Sequence, residues 1–187
     1  MKKQNIQNLA ECALLIATAL ILSRIKIWDL PIGGSVTLGS MVPIFVLVAR
    51  QNLLWSLGSC FVFGLAKMLL GMSELMGWGM TAFMWFGAIV FDYLLPYTVL
   101  GFAGIFKKYG SKGLLGGICI TVVLRFVSHL ISGVVFFTEW CPEEWGNNYL
   151  LYSLAYNGSY MLPELIITSV VCFALFSTPQ MKKLIRS

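Results

Sequence analysis

The chain is short of charge. Only 11% of its 187 residues are Asp, Glu, Lys or Arg, against about 25% in soluble domains. With 58% hydrophobic residues and a mean hydropathy of +0.83, that shortage excludes a water-soluble domain. Histidine occurs once, at His129. There is no Cys-x-x-Cys pair and no spacing that suits a metal, so neither a zinc site nor a dithiol redox centre is expected. Cys12, Cys60, Cys119 and Cys172 sit in apolar runs and Cys141 in a loop; all five read as thiols. A phosphate-binding loop is also missing. The run from Gly104 to Gly110-Ser111-Lys112 lacks the Gly-Lys-Ser/Thr ending that such a loop needs, so ATP hydrolysis by this chain is not expected. No repeat, low-complexity run or linker occurs. The chain has room for one bundle, a single domain over 1–187. No small-residue cleavage site follows the first apolar run, which is therefore expected to be a retained helix.

What the chain does have is long apolar runs. A bilayer-crossing helix needs about 20 residues, and candidates lie near 7–24, 35–49, 52–71, 81–105, 114–137 and 150–176. The second is short and follows Pro31-Ile32-Gly33-Gly34, which points to an irregular start. The basic residues cluster. Lys2, Lys3, Arg50, Lys107, Lys108, Lys112, Lys182, Lys183 and Arg186 fall at one side of the runs, and the acids and tryptophans of 25–34, 72–80 and 138–149 at the other. The net charge of +5 is thus a membrane-orientation signal and not a nucleic-acid one, and it places both termini in the cytoplasm. The expected fold is an all-α membrane protein, six transmembrane helices in one bundle.

Against that background, ionisable residues inside the runs stand out. Asp92, Arg125, His129 and Glu164 lie well within apolar sequence, where a charge costs roughly 2.5–3.5 kcal/mol on insertion scales and usually marks function. Arg125 and His129 are four apart and share a helix face with Ser132 and Gly133. That face must meet a cavity or a carboxylate; an ion pair with Asp92 or Glu164 is one solution. Asn157, Tyr160 and Glu164 make one stripe of the last helix, with Tyr152 and Tyr156 on an adjacent face. The tyrosines also suit an aromatic belt at the membrane interface. Trp85 precedes Asp92 by two helical turns. Pro163 is expected to kink the last helix. Lys67, alone in the third run, is expected to pair with a carboxylate. Asn157-Gly158-Ser159 matches a glycosylation sequon but sits inside a helix. A carboxylate among aromatic faces suits a small aromatic cation, and acidic outer loops favour its approach.

Three strings then carry a resemblance. Asp92-Tyr93-Leu94-Leu95-Pro96 with Gly101-Phe102-Ala103-Gly104-Ile105-Phe106, the stretch from Arg125 through His129 to Phe137, and Tyr152-Ser153-Leu154-Ala155-Tyr156-Asn157-Gly158 resemble the fourth, fifth and sixth helices of thiamine-binding S components. These are the membrane subunits of energy-coupling factor (ECF) vitamin transporters. The match is closest over 90–160. It implies that Asp92 stands where the family has a Glu that grips the aminopyrimidine, followed by Tyr93. His129, Tyr152 and Asn157 match binding positions directly. Arg125 replaces a Lys, and Phe137 a Trp that stacks on the ligand. Trp28 is expected as a lid tryptophan, and Trp140 and Trp145 as substitutes for the missing stacking ring. Glu164 joins the expected site.

Ala13 and Ala17, a small-xxx-small pair, match the pattern that meets the transmembrane coupling protein, and two ATPase subunits complete the implied importer. The implied ligand is thiamine, with no cofactor and no metal, in a multi-pass protein of the bacterial cell membrane that is not an enzyme. A carrier of another vitamin or a thiamine precursor, a solitary proton-coupled symporter, and an intramembrane enzyme built on His129 are the rival readings.

Overall fold

The computed structural model describes residues 2–31 and 33–186. Helix α1 (Lys2–Arg24) leads into a two-stranded antiparallel hairpin, β1 (Lys26–Asp29) and β2 (Ser35–Thr37). Helices α2 (Val42–Arg50) and α3 (Leu53–Gly77) follow. Next comes a continuous helical rod made of α4 (Ala82–Gly87), a π-helical segment over Ala88–Leu94, α5 (Leu95–Thr98) and a 3₁₀ stretch over Val99–Tyr109. Helix α6 (Gly110–Val135), two short 3₁₀ turns, α7 (Tyr149–Ser177) and α8 (Pro179–Arg186) complete the chain.

Local sequence explains the boundaries. Asn52, Thr81 and Asn148 cap α3, α4 and α7, each side-chain oxygen accepting a backbone N–H three residues on. Gly110, at φ +71°, supplies the left-handed residue that reverses the chain between the rod and α6. The two then run antiparallel. Gly117 lies against Ala103 and Phe106, where a Cβ would come within 2.9 Å of the Ala103 carbonyl, and Ser128 faces Phe91. The core is apolar and closed at the end of the bundle that carries the termini: Ile44, Phe45, Leu100, Leu114, Ile118, Cys172 and Phe176 are fully buried.

Among the described residues four stretches are long and apolar enough to cross a membrane: Lys3–Arg24, Leu53–Gly77, Ala82–Val135 and Tyr149–Ser177. The third contains the reversal at Gly110 and so holds two rods. The second expected span, 35–49, is not a full-length helix. Its first residues form β2 and a turn through Gly39 at φ +71°, and α2 begins only at Val42, with Pro43 in its first turn. Nine residues reach about 14 Å, half of a hydrocarbon core of roughly 30 Å. The purely α-helical expectation is therefore corrected by a hairpin at one end of the bundle.

Two irregularities position the site. An α-helix would use the N–H of residue 96 for the Asp92 carbonyl, but Pro96 has none. The backbone there widens into the π segment, and its exposed carbonyls find side-chain donors instead: Ser128 Oγ donates to Phe91 O at 2.7 Å and Thr98 Oγ1 to Leu94 O at 2.6 Å. The wider turn breaks the two-turn register expected between Trp85 and Asp92. The hairpin, in turn, lies along one face of α7. Tyr156 Oη donates to Gly33 O at 2.8 Å, Gly34 packs on the Tyr160 ring, and Glu164 Oε1 accepts from Thr37 N and from Thr37 Oγ1. Residues 156, 160 and 164 are spaced by one turn each, so the strand follows the helix axis. Gly34 has φ +85° and so little space that a Cβ would stand 2.6 Å from Tyr160 Cε1. Only glycine fits there.

Candidate functional site

Between the hairpin, α3, the π segment, α6 and α7 lies a cavity of about 220 Å³. Asp92, Tyr93, Arg125, His129, Phe137, Trp140, Tyr152, Asn157 and Glu164 all line it. Nine of the expected binding residues, from three separate stretches of sequence, thus converge on one hollow.

The polar wall is a connected network. Asp92 Oδ1 lies 2.9 Å from His129 Nδ1, and Asp92 Oδ2 accepts from Ser132 Oγ at 2.7 Å. Arg125 Nε reaches His129 Nε2 at 3.5 Å. A guanidinium can only donate, so Nε2 accepts and Nδ1 carries the proton that goes to Asp92. Tyr160 Oη donates to Asn157 Oδ1 at 2.9 Å, while Asn157 Nδ2 donates to the carbonyl and hydroxyl oxygens of Ser153 at 3.0 and 3.1 Å. Gly133 lets α6 and α7 close on each other: a Cβ there would stand 2.3 Å from Ser153 Oγ. Every polar group of this wall is held before a ligand arrives, which is how a site avoids ordering costs on binding.

Arg125 is not in the ion pair that the sequence allowed. It is buried, its Nη1 lies 2.9 Å from Met41 Sδ, its Nη2 3.4 Å from Tyr97 Oη, and its guanidinium carbon sits 4.6 Å from the Tyr97 ring centroid. That is a cation–π seat. Asp92 keeps its carboxylate for His129 and Ser132. Glu164 is spent on Thr37, with its second oxygen buried and unpartnered. Lys67 lines the cavity but has no carboxylate within 4 Å among the described residues, which overturns the expected pairing.

Aromatic rings line another part of the cavity, and Arg24, Lys26, Asp29 and Glu74 line it as well. Phe137 and Trp140 pack at a tilt with centroids 4.8 Å apart, and Trp140 meets Trp78 edge-on at 5.4 Å. Tyr152 stands between Tyr156, at 5.7 Å, and Trp145, at 5.6 Å. Trp28, the expected lid, is 50% exposed on β1 and does not reach the cavity; Trp78, at the end of α3, does. Sequence reasoning also missed Thr37, Ser40 and Tyr97. Thr37 and Ser40 precede α2 in a segment read as helix, and the period of a helix gives no hint of a hairpin. Tyr97 was legible in principle, since it follows the Asp92-Tyr93 pair by about one turn. Among the described residues no group of three metal-ligating side chains occurs.

The model of the thiamine transporter protein family matches residues 9–184. The chain belongs to that family. The family is one of transporters, not enzymes, and its bacterial members and the long apolar helices place this chain in the bacterial plasma membrane as a multi-pass protein. Thiamine transporter ThiT of Bacillus subtilis is 29% identical over 191 residues, covering 95% of this chain and 94% of that protein. ThiT of Lacticaseibacillus paracasei is 28% identical over 154 residues, 75% of this chain and 73% of that one. A solved structure of ThiT from Listeria monocytogenes superposes with a TM-score of 0.75 at 22% identity, covering 97% and 98% of the two chains. At that identity the last comparison speaks to the fold.

Proposed function

We infer that this chain is a thiamine-binding membrane subunit that captures the vitamin for import. The observation that supports this best is the joint placement of Asp92, His129 and Asn157 around one cavity in a chain of the thiamine transporter family. Thiamine has an aminopyrimidine with donors and acceptors along one edge and a permanently cationic thiazolium ring. In this reading the Asp92 carboxylate accepts from the pyrimidine amino group, its angle fixed by His129 and Ser132. Tyr93 flanks it. Asn157 faces the pyrimidine edge, Arg125 and Glu164 close the inner end, and Trp140, Phe137 and Tyr152, with Trp78, stack on the thiazolium. Aspartate is one methylene shorter than the glutamate it replaces, so the pyrimidine sits deeper toward the π segment.

The reading extends to topology and partners. Residues 1–187 form one binding domain. Six segments cross the bilayer: α1, β2 with α2, α3, the 82–109 rod, α6 and α7. Both termini face the cytoplasm, as the clustered Lys and Arg residues favour. Ala13 and Ala17 are exposed on α1, free to let another helix approach closely. They dock the transmembrane coupling protein of an ECF module, whose two ATPases drive release inward.

Tryptophan fluorescence of the purified chain, titrated with thiamine, tests the ligand. Saturable quenching that riboflavin does not compete for is expected, and a flat titration rejects the assignment. Uptake into vesicles tests the module. Transport by this chain alone, collapsed by an uncoupler, would establish a proton symporter instead. Ala13→Trp with Ala17→Trp should leave binding intact and abolish ATP-driven uptake; loss of binding in detergent contradicts the docking role.

A further inference from the structure

At the closed end of the bundle, basic residues gather without acids to meet them. No Asp or Glu occurs between Asp92 and Glu139 or after Glu164. Yet Lys107, Lys108 and Lys112 flank the reversal between the rod and α6, and Lys182 and Lys183 lie on α8. The fold brings the two groups together. Ser111 Oγ donates to Phe176 O at 3.0 Å, which ties the reversal to the end of α7, and α8 then packs back on α6, α2 and the rod. Met181 and Ile185, four apart on α8, turn into the core, so Lys182 and Lys183 stay exposed. Lys107 is engaged, its Nζ donating to Gln51 O at 3.4 Å. Lys108 Nζ rests 5.0 Å from the centroid of the exposed Tyr109 ring. Among the described residues no carboxylate lies within 4 Å of Lys108, Lys112, Lys182 or Lys183.

The surface leading to these lysines is apolar. Side chains three apart eclipse in a 3₁₀ helix, so Phe102, Ile105 and Lys108 form a straight row, and all three are exposed. On α6, Lys112, Gly116 and Ile120 follow one another by single turns and are exposed too. Gly116 leaves a recess, with nothing within 4 Å of where its Cβ would be. Each row therefore runs from the apolar face of a membrane-crossing rod to an ammonium. A phospholipid has the same order, an acyl chain and then a phosphate. A soluble acidic protein would use the lysines and leave the rows unused, and so would free phosphate. Anionic lipids attract basic residues next to the membrane, whereas zwitterionic ones carry no net charge.

We propose that the reversal at 107–112 and α8 form a binding site for an anionic phospholipid. Lys108 and Lys112 hold its phosphate, Lys182 and Lys183 add to the attraction, and an acyl chain lies along Phe102 and Ile105 and across Gly116. None of these residues lines the cavity, so the site does not depend on which ligand the cavity takes.

Thermal unfolding and native mass spectrometry of the purified full chain in detergent test it, with phosphatidylglycerol, phosphatidylcholine or sodium phosphate added. Phosphatidylglycerol should raise the unfolding temperature by about 3 °C or more, and the other two by less than about 1 °C. Lys108→Gln with Lys112→Gln should weaken retention of phosphatidylglycerol by about tenfold or more, while thiamine affinity changes less than about twofold. Gly116→Leu, which keeps every charge, should weaken retention by about threefold or more. If the double variant does not purify, Lys182→Gln with Lys183→Gln should give a loss of about threefold. Equal stabilisation by phosphatidylcholine or by phosphate overturns the site, and so do lysine variants that retain the lipid as wild type does. Lysine variants that keep the lipid but lose ATP-driven uptake would assign the surface to a protein partner instead.

Discussion

At the hairpin end of the bundle, polar side chains from the hairpin, α3, the π segment, α6 and α7 face each other across an open hollow. At the end that carries the termini, α2, the rod, α6 and α7 pack Phe45, Leu100, Ile118 and Phe176 with no exposed surface left. The same helices build both ends, so the difference lies in side chains and in a few backbone irregularities. Where the helices are regular and small residues alternate with large ones, they close. Where the backbone widens at Pro96, and where a hairpin replaces helix before α2, they stay apart. The filled end holds the open end in shape. A site whose groups are already bonded to one another needs such a foundation, since a shift of about 1 Å in α6 against the rod would take His129 out of hydrogen-bond reach of Asp92.

The contrast can be broken from either side. The largest effect belongs to the packed end: Phe176→Ala should cost about 3 kcal/mol or more of stability, read as a lower unfolding temperature in detergent, while the folded fraction keeps its thiamine affinity. Loss of affinity without loss of stability would mean that the two ends are not separate in their energetics. Next comes Asp92→Asn, which keeps the shape and removes the carboxylate. Thiamine should bind at least about tenfold more weakly, equivalent to ~1.4 kcal/mol, with the unfolding temperature little changed; an unaltered calorimetric affinity refutes the pyrimidine role. A smaller effect sharpens the boundary of the site. Trp78→Ala should weaken thiamine about fivefold and Trp28→Ala less than twofold, because only Trp78 reaches the cavity; the reverse order would return the lid to β1. The smallest belongs to Glu11, which pairs with Arg50 and accepts from Gln51 Nε2 at 3.0 Å. The pair is partly exposed, so Glu11→Gln should cost less than about 1 kcal/mol, and a thermal shift too small to resolve is acceptable. A collapse of the fold is not.

The sequence was most readable where physics is least forgiving. Asp92, His129 and Asn157 announced themselves because polar groups are expensive at bilayer depth, and the strings around them carried the family likeness. The expected helices over 81–105, 114–137 and 150–176 sit within a few residues of the rod, α6 and α7 for the same reason: long apolar runs admit few alternatives. The hairpin was not readable. Its strands are four and three residues long, too short for an alternating pattern, and its turn depends on Gly33 and Gly34 at positive φ. Trp28 and Trp78 both follow the end of an apolar run, and the sequence does not show that Trp28 stays off the cavity while its β1 neighbours Lys26 and Asp29 line it. Lys67 misled for a different reason. A cation in an apolar run does call for a partner, but, as Arg125 shows, a sulfur or a ring face serves as well as a carboxylate, and charge patterning sees only the last.

The π-helical segment has a consequence for how this chain can vary. It holds about one more residue per turn than its neighbours, so it absorbs its surplus residue within itself. A single deletion within 88–94 would restore an ordinary helix and leave the turns on either side close to their present orientation, with Phe83 and Phe86 still against Phe136. What it would remove is the widened turn that aims Asp92 at His129 and offers Phe91 O to Ser128. Loss of one residue here is therefore an event that the fold can survive and the site cannot.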